Sequence, residues 1–276
     1  MSYKRILTIQ DISCLGQCSL TVALPILSAC GLETCVLPSA VLSTHTGGFS
    51  GYTFTDLTED MPAIQKHWEK ENIKFDAFYT GYLGSAKQIE YVKNIFSATG
   101  NSDSVKIVDP AMADNGNLYY GFDNAFVDEM KILCDAADII LPNITEACFL
   151  TGCQYKDTYD EAYIDELLNA LNKNSEKTII LTGVSYSPES TGVIVYKNGK
   201  KEYYSHKKIK NGCHGTGDIF ASAFAGAFIR GKSEYDAAKI AADYTVACIE
   251  ETQSDESHWY GAKFEPVLGK LIESLN

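Results

Sequence analysis

The sequence predicts an α/β fold in which a central, mostly parallel sheet is flanked by helices. Short apolar runs alternate along the chain with helical stretches, a pattern typical of parallel sheets covered by helices. The composition, 45% hydrophobic and 21% charged over 276 residues, is that of an ordinary globular protein. Because the chain has no internal repeat, low-complexity tract or Pro/Ser-rich linker, we expect a single domain over residues 1–276.

Eight short apolar runs are the candidate strands. They span residues 5–9, 34–37, 76–80, 105–109, 138–141, 178–182, 192–197 and 201–205. The last two flank Asn198-Gly199, a dipeptide typical of two-residue hairpins, so these two strands are expected to pair directly.

Helices are expected between and after these strands. The candidates span residues 20–29, 62–72, 85–98, 123–135, 159–171, 219–230, 233–250 and 263–275. Pro25 is expected to tilt or break the first of them, because proline has no amide hydrogen to donate within a helix.

Several polar residues fall at or just after the carboxyl end of a predicted strand. They are Asp11, Tyr82, Asp109, Asn143 and Thr182. Ligands of open parallel sheets sit beyond the carboxyl ends of the strands. These side chains are therefore expected to converge along one edge of the sheet.

Charge and composition exclude several classes of protein. A net charge of −13 argues against a nucleic-acid binder, which needs a basic face. No apolar run approaches the ~20 residues that span a bilayer, so no membrane association is expected. The nine scattered cysteines show no zinc-site spacing, and the N-terminal residues do not resemble a signal peptide; we expect reduced thiols and a cytoplasmic location.

The most informative motif is Asn-Gly-Cys-His-Gly-Thr-Gly-Asp at residues 211–218, which leads directly into an apolar stretch. Gly215, Thr216 and Gly217 stand where a helix would begin, and Asp218 follows in its first turn. The free amides and the dipole of a helix N-terminus favour an anion such as a phosphoryl group. Asp218 could there take a proton from an attacking hydroxyl. The alternative is a glycine turn in which Asp218 is only a favourable first-turn acid.

Five further segments occur with this loop in an order found in one group of kinases. They are Thr8-Ile9-Gln10, Ser43-Thr44-His45-Thr46-Gly47, Thr80-Gly81-Tyr82-Leu83-Gly84-Ser85, Val108-Asp109-Pro110, and Ala137-Asp138-Ile139-Ile140-Leu141-Pro142-Asn143 with Glu146. With Gly-Thr-Gly-Asp at 215–218, they make the chain resemble the ribokinase-like superfamily and, over almost its whole length, the pyridoxal (vitamin B6) kinases.

This resemblance implies a ribokinase-like α/β sandwich that phosphorylates the 5′-hydroxymethyl group of pyridoxal, pyridoxamine or pyridoxine with ATP. It also implies Mg²⁺, a monovalent cation such as K⁺, and a homodimer. Asp218 would be the general base, and the amides of Gly215, Thr216 and Gly217 would stabilise charge on the transferring phosphoryl group. An acidic protein must build a local positive field for ATP, and helix termini and a metal ion are the available sources.

On the nucleotide side, the resemblance implies that Asn143 and Glu146 organise Mg²⁺ and the phosphates. Asp109 would lie near the phosphates and metals, including the monovalent cation. From their spacing alone, Asn143 and Glu146 could instead be the N-cap of a helix and its capping partner, and Asp109 before Pro110 could be a turn former.

The remaining nucleotide-side residues come from a loop and a strand end. Asp114 and Tyr119 resemble a segment that covers ATP in pyridoxal kinases, although Tyr120 could serve equally well in place of Tyr119. Thr182 is placed with them as a nucleotide-binding residue.

On the vitamin side, Thr46 and His45 resemble the stretch that contacts the vitamin, and Tyr82 offers a flat face for a pyridine ring. His45 could equally be a structural histidine bonded to backbone. Pyridoxal kinases usually carry serine where this chain has Asp11, a departure that puts the preferred vitamer in doubt. Asp11 could bond a cationic amine on the vitamin, or it could cap the following loop and point away.

Two nucleotide-binding motifs are excluded. Residues 226–233 match the Walker A pattern, but their first half lies in a predicted helix, so Gly231 is read as the helix C-cap and Ser233 as the start of the next helix. Gly16 stands without the companion glycines of a dinucleotide fingerprint.

Two other functions stay open at this point. Hydroxymethylpyrimidine kinases of the same superfamily more often end the anion loop in cysteine, so Asp218 favours a B6 kinase over them. A non-catalytic B6-binding protein would need neither Asp218 nor Glu146.

Overall fold

The computed structural model of the chain describes residues 3–173, 176–209, 212–255 and 257–276. Asn211, the first residue of the glycine-rich motif, lies outside the described residues. Among those described, no helix combines the length and apolar character needed to span a bilayer.

The strands and helices alternate as the sequence predicts. Within the described residues the strands are β1 (Arg5–Ser13), β2 (Glu33–Leu42), β3 (Phe54–Asp56), β4 (Phe75–Thr80), β5 (Gly100–Val108), β6 (Ala113–Asp114), β7 (Asn117–Leu118), β8 (Ile139–Ile140), β9 (Thr178–Ser187), β10 (Ser190–Lys197) and β11 (Lys200–Lys207). The helices are α1 (Leu20–Ala29), α2 (Met61–Lys70), α3 (Ala86–Thr99), α4 (Asn124–Asp135), α5 (Ile144–Thr151), α6 (Glu161–Leu171), α7 (Thr216–Ile229), α8 (Glu234–Gln253) and α9 (Leu268–Leu275).

Nine of these strands form one sheet in the order β11-β10-β9-β8-β5-β4-β1-β2-β3. The six strands from β9 to β2 are parallel to their neighbours, whereas β3 and β10 run antiparallel. The predicted hairpin joins β10 to β11, with Asn198 and Gly199 both at positive φ. The mostly parallel sheet expected from the sequence is confirmed, and its carboxyl ends lie at one edge.

Helices cover both faces of the sheet because strand side chains alternate between them. Ile6 packs with α1, α7, α8 and α9 in one apolar layer. Its neighbour Leu7 packs with α2 to α6 in the other layer. The fold is therefore an α/β/α sandwich.

Side-chain caps define where four of the helices begin. Ser85, Asp123, Asp160 and Ser233 each accept a hydrogen bond from the amide three residues on, at the start of α3, α4, α6 and α8. Such caps satisfy an amide that has no partner within the helix.

Three details differ from the sequence-based expectation. Pro25 does not break α1, which runs through it to Ala29. The last helix begins at Leu268 rather than at 263, because a 3₁₀ turn at Glu265–Val267 precedes it. The structure also adds β3, the β6–β7 hairpin and α5, which are too short for their apolar periodicity to be recognised.

Candidate active site

The glycine-rich loop forms the N-terminus of α7, as predicted. Gly215 is its N-cap residue at φ 78°, and a Cβ there would overlap the backbone oxygen of Gln17, so only glycine fits. A Cβ on Gly217 would meet nothing within 4 Å, which leaves the outer side of this turn open to a ligand. The first-turn amides therefore face a space where an anion can approach them.

Asp218 lies in that first turn and is half-buried. Burial is the largest cause that raises the pKa of Asp218 to about 7; the nearby charge of Asp11 acts in the same direction, and the backbone amide of Ser19 opposes the shift. A carboxylate with a pKa near neutrality can accept a proton in one step and return it later. Asp218 therefore has both the position and the basicity of a general base.

Two further acids, Asp109 and Glu146, lie near Asp218. Burial raises the pKa of Glu146 to about 8. Burial also raises the pKa of Asp109 well above its ordinary value, and the charges of Glu146 and Asp218 add to the shift. Neighbouring carboxylates repel each other when they are charged, and a cation placed among these three would favour their charged forms. The site therefore fits a cation-bearing ligand.

Asn143 and Glu146 form the capping box of α5. Asn143 Oδ1 accepts from the Glu146 amide at 2.9 Å, and Glu146 Oε2 accepts from the Asn143 amide at 2.9 Å. Glu146 Oε1 accepts from the Met112 amide at 3.1 Å, and Asn143 Nδ2 donates to the Ala113 carbonyl at 2.9 Å. The helix-capping role is thus present in the structure, and both side chains already form hydrogen bonds with the backbone.

No group of three or more His, Cys, Asp or Glu side chains in the described part of the chain is arranged to hold a metal directly. Mg²⁺ usually keeps several waters and binds through one or two carboxylates together with substrate phosphates. The donor set of Asp109 and Glu146 fits such a water-mediated role.

The segment after β5 folds into the β6–β7 hairpin, with Asp114 at its tip. Its turn is tied to α5 by the Gly116 amide, which donates to Thr145 Oγ1 at 3.1 Å. Tyr119 is 40% exposed and Tyr120 is 99% exposed. Partial burial of the Tyr119 hydroxyl, followed by the charges of Glu146 and Asp109, raises the pKa of Tyr119. The structure therefore places Tyr119, rather than Tyr120, at the acidic centre.

Thr182 joins this region at the end of the predicted strand run. Its amide donates to the Pro142 carbonyl at 2.9 Å, and it forms a parallel bridge with Asn143. The polar residues expected along one edge of the sheet are thus brought together.

His45 is buried, and both of its ring nitrogens are bonded to backbone. Nδ1 accepts from the Gly47 amide at 3.0 Å, so Nε2 carries the proton and donates to the Tyr260 carbonyl at 2.6 Å. The imidazole therefore fixes the loop around it and has no free nitrogen for a ligand. The neighbouring Thr46 is exposed, and its hydroxyl makes no hydrogen bond to another described residue.

Tyr82 is part of an aromatic stack. Its ring lies 5.5 Å from that of Phe122, which stacks in turn on Phe126 at 3.9 Å with an angle of 2° between the planes. Asp11 is buried close by, where Oδ2 accepts from Ser13 Oγ at 3.0 Å and its charge acts on Tyr82. Asp11 therefore lies inside the site, although one of its oxygens is occupied.

Sequence reasoning missed Ser19 and Phe122. Ser19 is the N-cap of α1 and lies beside both Asp11 and Asp218, with a positive φ of 54° that is uncommon outside glycine. Its side chain makes no capping hydrogen bond, so its place before an apolar helix would not have indicated this role. Phe122 carries no local signal, because its role depends on where Tyr82 lies.

The Walker-like segment is confirmed as a helix end. Gly226 lies inside α7, Gly231 follows it at φ 94°, and Ser233 caps α8. Lys232 thus lies at the opposite end of α7 from Asp218, roughly 20 Å away at 1.5 Å per residue.

Comparison with known proteins gives a consistent result. Residues 24–263 match the family model for phosphomethylpyrimidine kinase. A Bacteroides thetaiotaomicron protein described as a phosphomethylpyrimidine kinase is 36% identical, with a TM-score of 0.94 over 98% of this chain and 94% of its own. A second crystal form of that protein was solved with pyridoxal.

Two further relatives are pyridoxal kinases. The structure from Lactobacillus plantarum is 30% identical, with a TM-score of 0.91 over 99% of this chain and 98% of its own. The Dictyostelium discoideum enzyme is 26% identical over 243 residues, which cover 82% of this chain and 78% of that protein.

Proposed function

The chain belongs to the phosphomethylpyrimidine kinase family and is a kinase of the ribokinase-like superfamily, and we propose that it transfers the γ-phosphoryl group of ATP to the 5′-hydroxymethyl group of pyridoxal, pyridoxamine or pyridoxine. The observation that carries this proposal is the first turn of α7. There, a carboxylate with a pKa of about 7 stands beside helix amides that face open space.

Asp218 would take the proton of the substrate hydroxyl as its oxygen attacks the γ-phosphorus of ATP. The bond to the β-phosphate oxygen then breaks, ADP leaves, and the proton stays on Asp218 until it passes to solvent. The amides of Gly215, Thr216 and Gly217 would stabilise the charge on the transferring group. Phosphoryl transfer depends mainly on such positioning and charge stabilisation.

Asp109, Asn143 and Glu146 would hold the hydration shell of Mg²⁺ on the ATP phosphates. When bound, the ion neutralises phosphate charge. The pKa values of Asp109 and Glu146 are raised first by burial and then by neighbouring carboxylates, and a cation among these acids would favour their charged forms. The same cluster of acids supports a monovalent cation such as K⁺ beside Asp109.

The nucleotide would lie under the β6–β7 hairpin. Asp114 and Tyr119 would cover it, with Thr182 on β9 beside Asn143. The hydrogen bond from the Gly116 amide to Thr145 would hold this hairpin in a fixed position relative to the capping box of α5.

On the opposite side, Tyr82 would be the platform for the pyridine ring, and the free hydroxyl of Thr46 would bond a ring substituent. His45 would act on the vitamin indirectly, by holding the loop that carries Thr46. Asp11 would lie close enough to the ring to favour a cationic amine.

A second candidate function is hydroxymethylpyrimidine phosphorylation, which the name of the matched family favours. Asp218 supports the B6 activity instead, since hydroxymethylpyrimidine kinases more often end this loop in cysteine. The two activities use the same transfer chemistry and differ in the ring that Tyr82 would support.

Three wider proposals accompany the activity. We propose that residues 1–276 act as a single domain, that the enzyme is a homodimer like the pyridoxal kinases it resembles, and that it works in the cytoplasm. All nine cysteines are free, as expected in a reducing compartment.

A panel assay tests the proposed activity. Purified enzyme with MgATP would be offered pyridoxal, pyridoxamine, pyridoxine, hydroxymethylpyrimidine and ribose, and each product would be identified by mass. We expect B6 5′-phosphates to form with kcat/KM at least tenfold above that for hydroxymethylpyrimidine. A preference for hydroxymethylpyrimidine would support the second candidate, and binding of a B6 vitamer without ADP release would indicate a non-catalytic binder.

A further inference from the structure

The loop between β2 and β3 carries Thr46, and its residues 43–53, all of which the structure describes, form no helix or strand. The two ends of the loop are joined, because the Ser43 amide donates to the Thr53 carbonyl at 3.2 Å and the Thr53 amide donates to Ser43 Oγ at 2.9 Å. Since no regular element lies between these ends, the position of Thr46 depends on the contacts that its neighbours in the loop make with other parts of the chain.

One side of the β2–β3 loop packs on residues 258–262, the segment that precedes the last helix. The ring of Phe49 lies 4.7 Å from that of Trp259, with an angle of 43° between the planes, and 6.4 Å from that of Tyr260. Gly48 is so close to Trp259 that a Cβ there would lie 2.7 Å from the indole ring. The loop therefore contacts the 258–262 segment through an aromatic pair and through a glycine that leaves room for one of its rings.

The same segment also holds the start of the glycine-rich motif. The Ala262 amide donates to the His214 carbonyl at 3.1 Å, and His214 directly precedes Gly215, the N-cap of α7. A Cβ on Gly47 would lie 2.8 Å from the His214 ring, so the β2–β3 loop touches this motif as well. The 258–262 segment thus contacts both the loop that carries Thr46 and the turn that presents the first amides of α7.

The aromatic pair contributes little to the hydrophobic core. Trp259 is 51% exposed, and among the described residues neither its ring nor that of Phe49 belongs to either apolar layer of the sandwich. Because a half-exposed ring buries little apolar area, its contact is expected to matter more for the position of the loop than for the stability of the fold.

We propose that Phe49 and Trp259 are positioning residues for the phosphoryl acceptor, because their ring contact fixes the β2–β3 loop, and with it the Thr46 hydroxyl, beside the first turn of α7. The hydrogen bond from His45 to the Tyr260 carbonyl fixes the residue before Thr46. The contact between Phe49 and Trp259 fixes the residues after it. This inference rests on the proposed function in taking Thr46 as a contact of the acceptor.

Loss of the ring contact should weaken acceptor binding without affecting the chemical step. An aromatic pair of this kind changes an equilibrium by about three- to tenfold. Without it, a smaller fraction of the enzyme would hold Thr46 in place, and the apparent affinity for the acceptor would fall by that factor. Once the acceptor is bound, the loop is again in place, so kcat should stay the same.

Phe49→Leu and Trp259→Leu test this, since each keeps an apolar side chain and removes one ring. We expect each to raise KM for the acceptor about three- to tenfold, with KM for ATP and kcat within about twofold of wild type. The double variant should raise KM for the acceptor no further than either single variant, because both remove the same contact. Trp259→Phe retains a ring and should restore KM to within about twofold of wild type.

Trp68→Leu is the matched control. Trp68 lies on α2, where its ring packs 5.3 Å from that of Phe75 against the apolar layer that does not contain α7. Its replacement should lower Tm and leave both KM values within about twofold of wild type. Because Phe49 and Trp259 lie outside that layer, Phe49→Leu should lower Tm less than Trp68→Leu does.

Fluorescence provides a readout without substrate. The chain has two tryptophans, so Trp68→Phe leaves Trp259 as the only one. In that background, Phe49→Leu should increase the quenching of Trp259 by acrylamide. Unchanged quenching, equal increases in KM for the acceptor and for ATP, or additive effects in the double variant would overturn the proposal. If the wild type phosphorylates no B6 vitamer, the proposed function fails; KM is then measured with its best acceptor from the panel, so the two failures are distinguishable.

Discussion

Asp218 is the residue on which the proposed chemistry depends, and its surroundings shift its pKa in opposite directions. Burial raises its pKa to about 7, while the amide of Ser19 limits the shift. Ser19 itself stands at a positive φ, a strained conformation of the kind that functional sites retain. The pKa of the proposed base is therefore limited by a residue on a different element from its own.

The pH dependence of turnover follows from this raised pKa. Asp218 can accept a proton only when ionised, so kcat/KM should rise with pH and level off above about pH 7. If the base were a carboxylate with an ordinary pKa, kcat/KM would instead rise near pH 4. A pH profile measured between pH 5 and pH 9 with the best acceptor checks this, and a flat profile from pH 5 upward would contradict the raised pKa of Asp218.

The choice of vitamer gives a second prediction, centred on Asp11. A carboxylate within reach of the protonated amine of pyridoxamine would make a charge-assisted bond, worth about a tenfold or greater preference over pyridoxal. Asp11→Ser should reduce the pyridoxamine-to-pyridoxal ratio of kcat/KM by that factor. The bond that Asp11 accepts from Ser13 is the competing role, and Ser13→Ala is the control. An unchanged ratio in Asp11→Ser would show that Asp11 does not contact the amine.

At the scale of elements, α7 joins the site to the core. Its first turn carries the glycine loop and Asp218, whereas from Ile219 onward almost every side chain is buried in the apolar layer. Gly226 sits where a Cβ would overlap Cys30 Sγ, so the helix packs closely against α1. A closely packed helix of this kind can hold its first-turn amides in a fixed orientation toward a phosphoryl group.

Lys232 tests whether the nucleotide lies at the first turn of α7 or at its far end. If the Walker-like segment is only a helix end, Lys232→Ala should leave KM for ATP and kcat within about twofold of wild type. A true Walker lysine contacts the phosphates, and its loss is severe. A large loss of turnover in folded Lys232→Ala protein would mean that the nucleotide site has been misplaced.

The elements also show which parts of the site a sequence can predict. Asp109 and Asn143 were predictable because parallel topology places the carboxyl ends of strands at one edge. Thr182 was expected at a strand end as well, but β9 continues beyond it to Ser187. The bond from His45 to Tyr260 was not, because it joins residues 215 positions apart in the chain. Likewise, the stack of Tyr82 on Phe122 and the β6–β7 hairpin depend on tertiary contacts that leave no periodic pattern.

For the whole molecule, the central fact is its negative charge. The chain carries −13, and three of its acids, Asp109, Glu146 and Asp218, lie together at the edge of the sheet. All three have raised pKa values, so the folded state holds protons that the unfolded chain would release. The fold thus keeps a cluster of acids that is less stable in its charged form and that a cationic ligand would stabilise.

Stability should therefore fall as pH rises. A raised folded pKa contributes stability that is fully present below the unfolded value, near pH 4, and lost as pH rises through the folded value, here up to about pH 8. Urea unfolding should give a lower free energy of unfolding at pH 8 than at pH 6. Added MgATP should increase the free energy of unfolding more at pH 8 than at pH 6. Glu146→Gln should weaken this dependence of the free energy of unfolding on pH. A free energy of unfolding that rises with pH would contradict the raised pKa values.

The most direct test of the account is the turnover of Asp218→Asn with its B6 substrate, measured as B6 5′-phosphate formed per enzyme. Asparagine keeps the size and much of the helix-start preference of aspartate but cannot take the proton. We predict a loss of about 10²–10⁴ in kcat with an unchanged fold by circular dichroism and a Tm at least equal to that of the wild type. Near-normal turnover in folded Asp218→Asn would contradict the assignment of Asp218 as the general base.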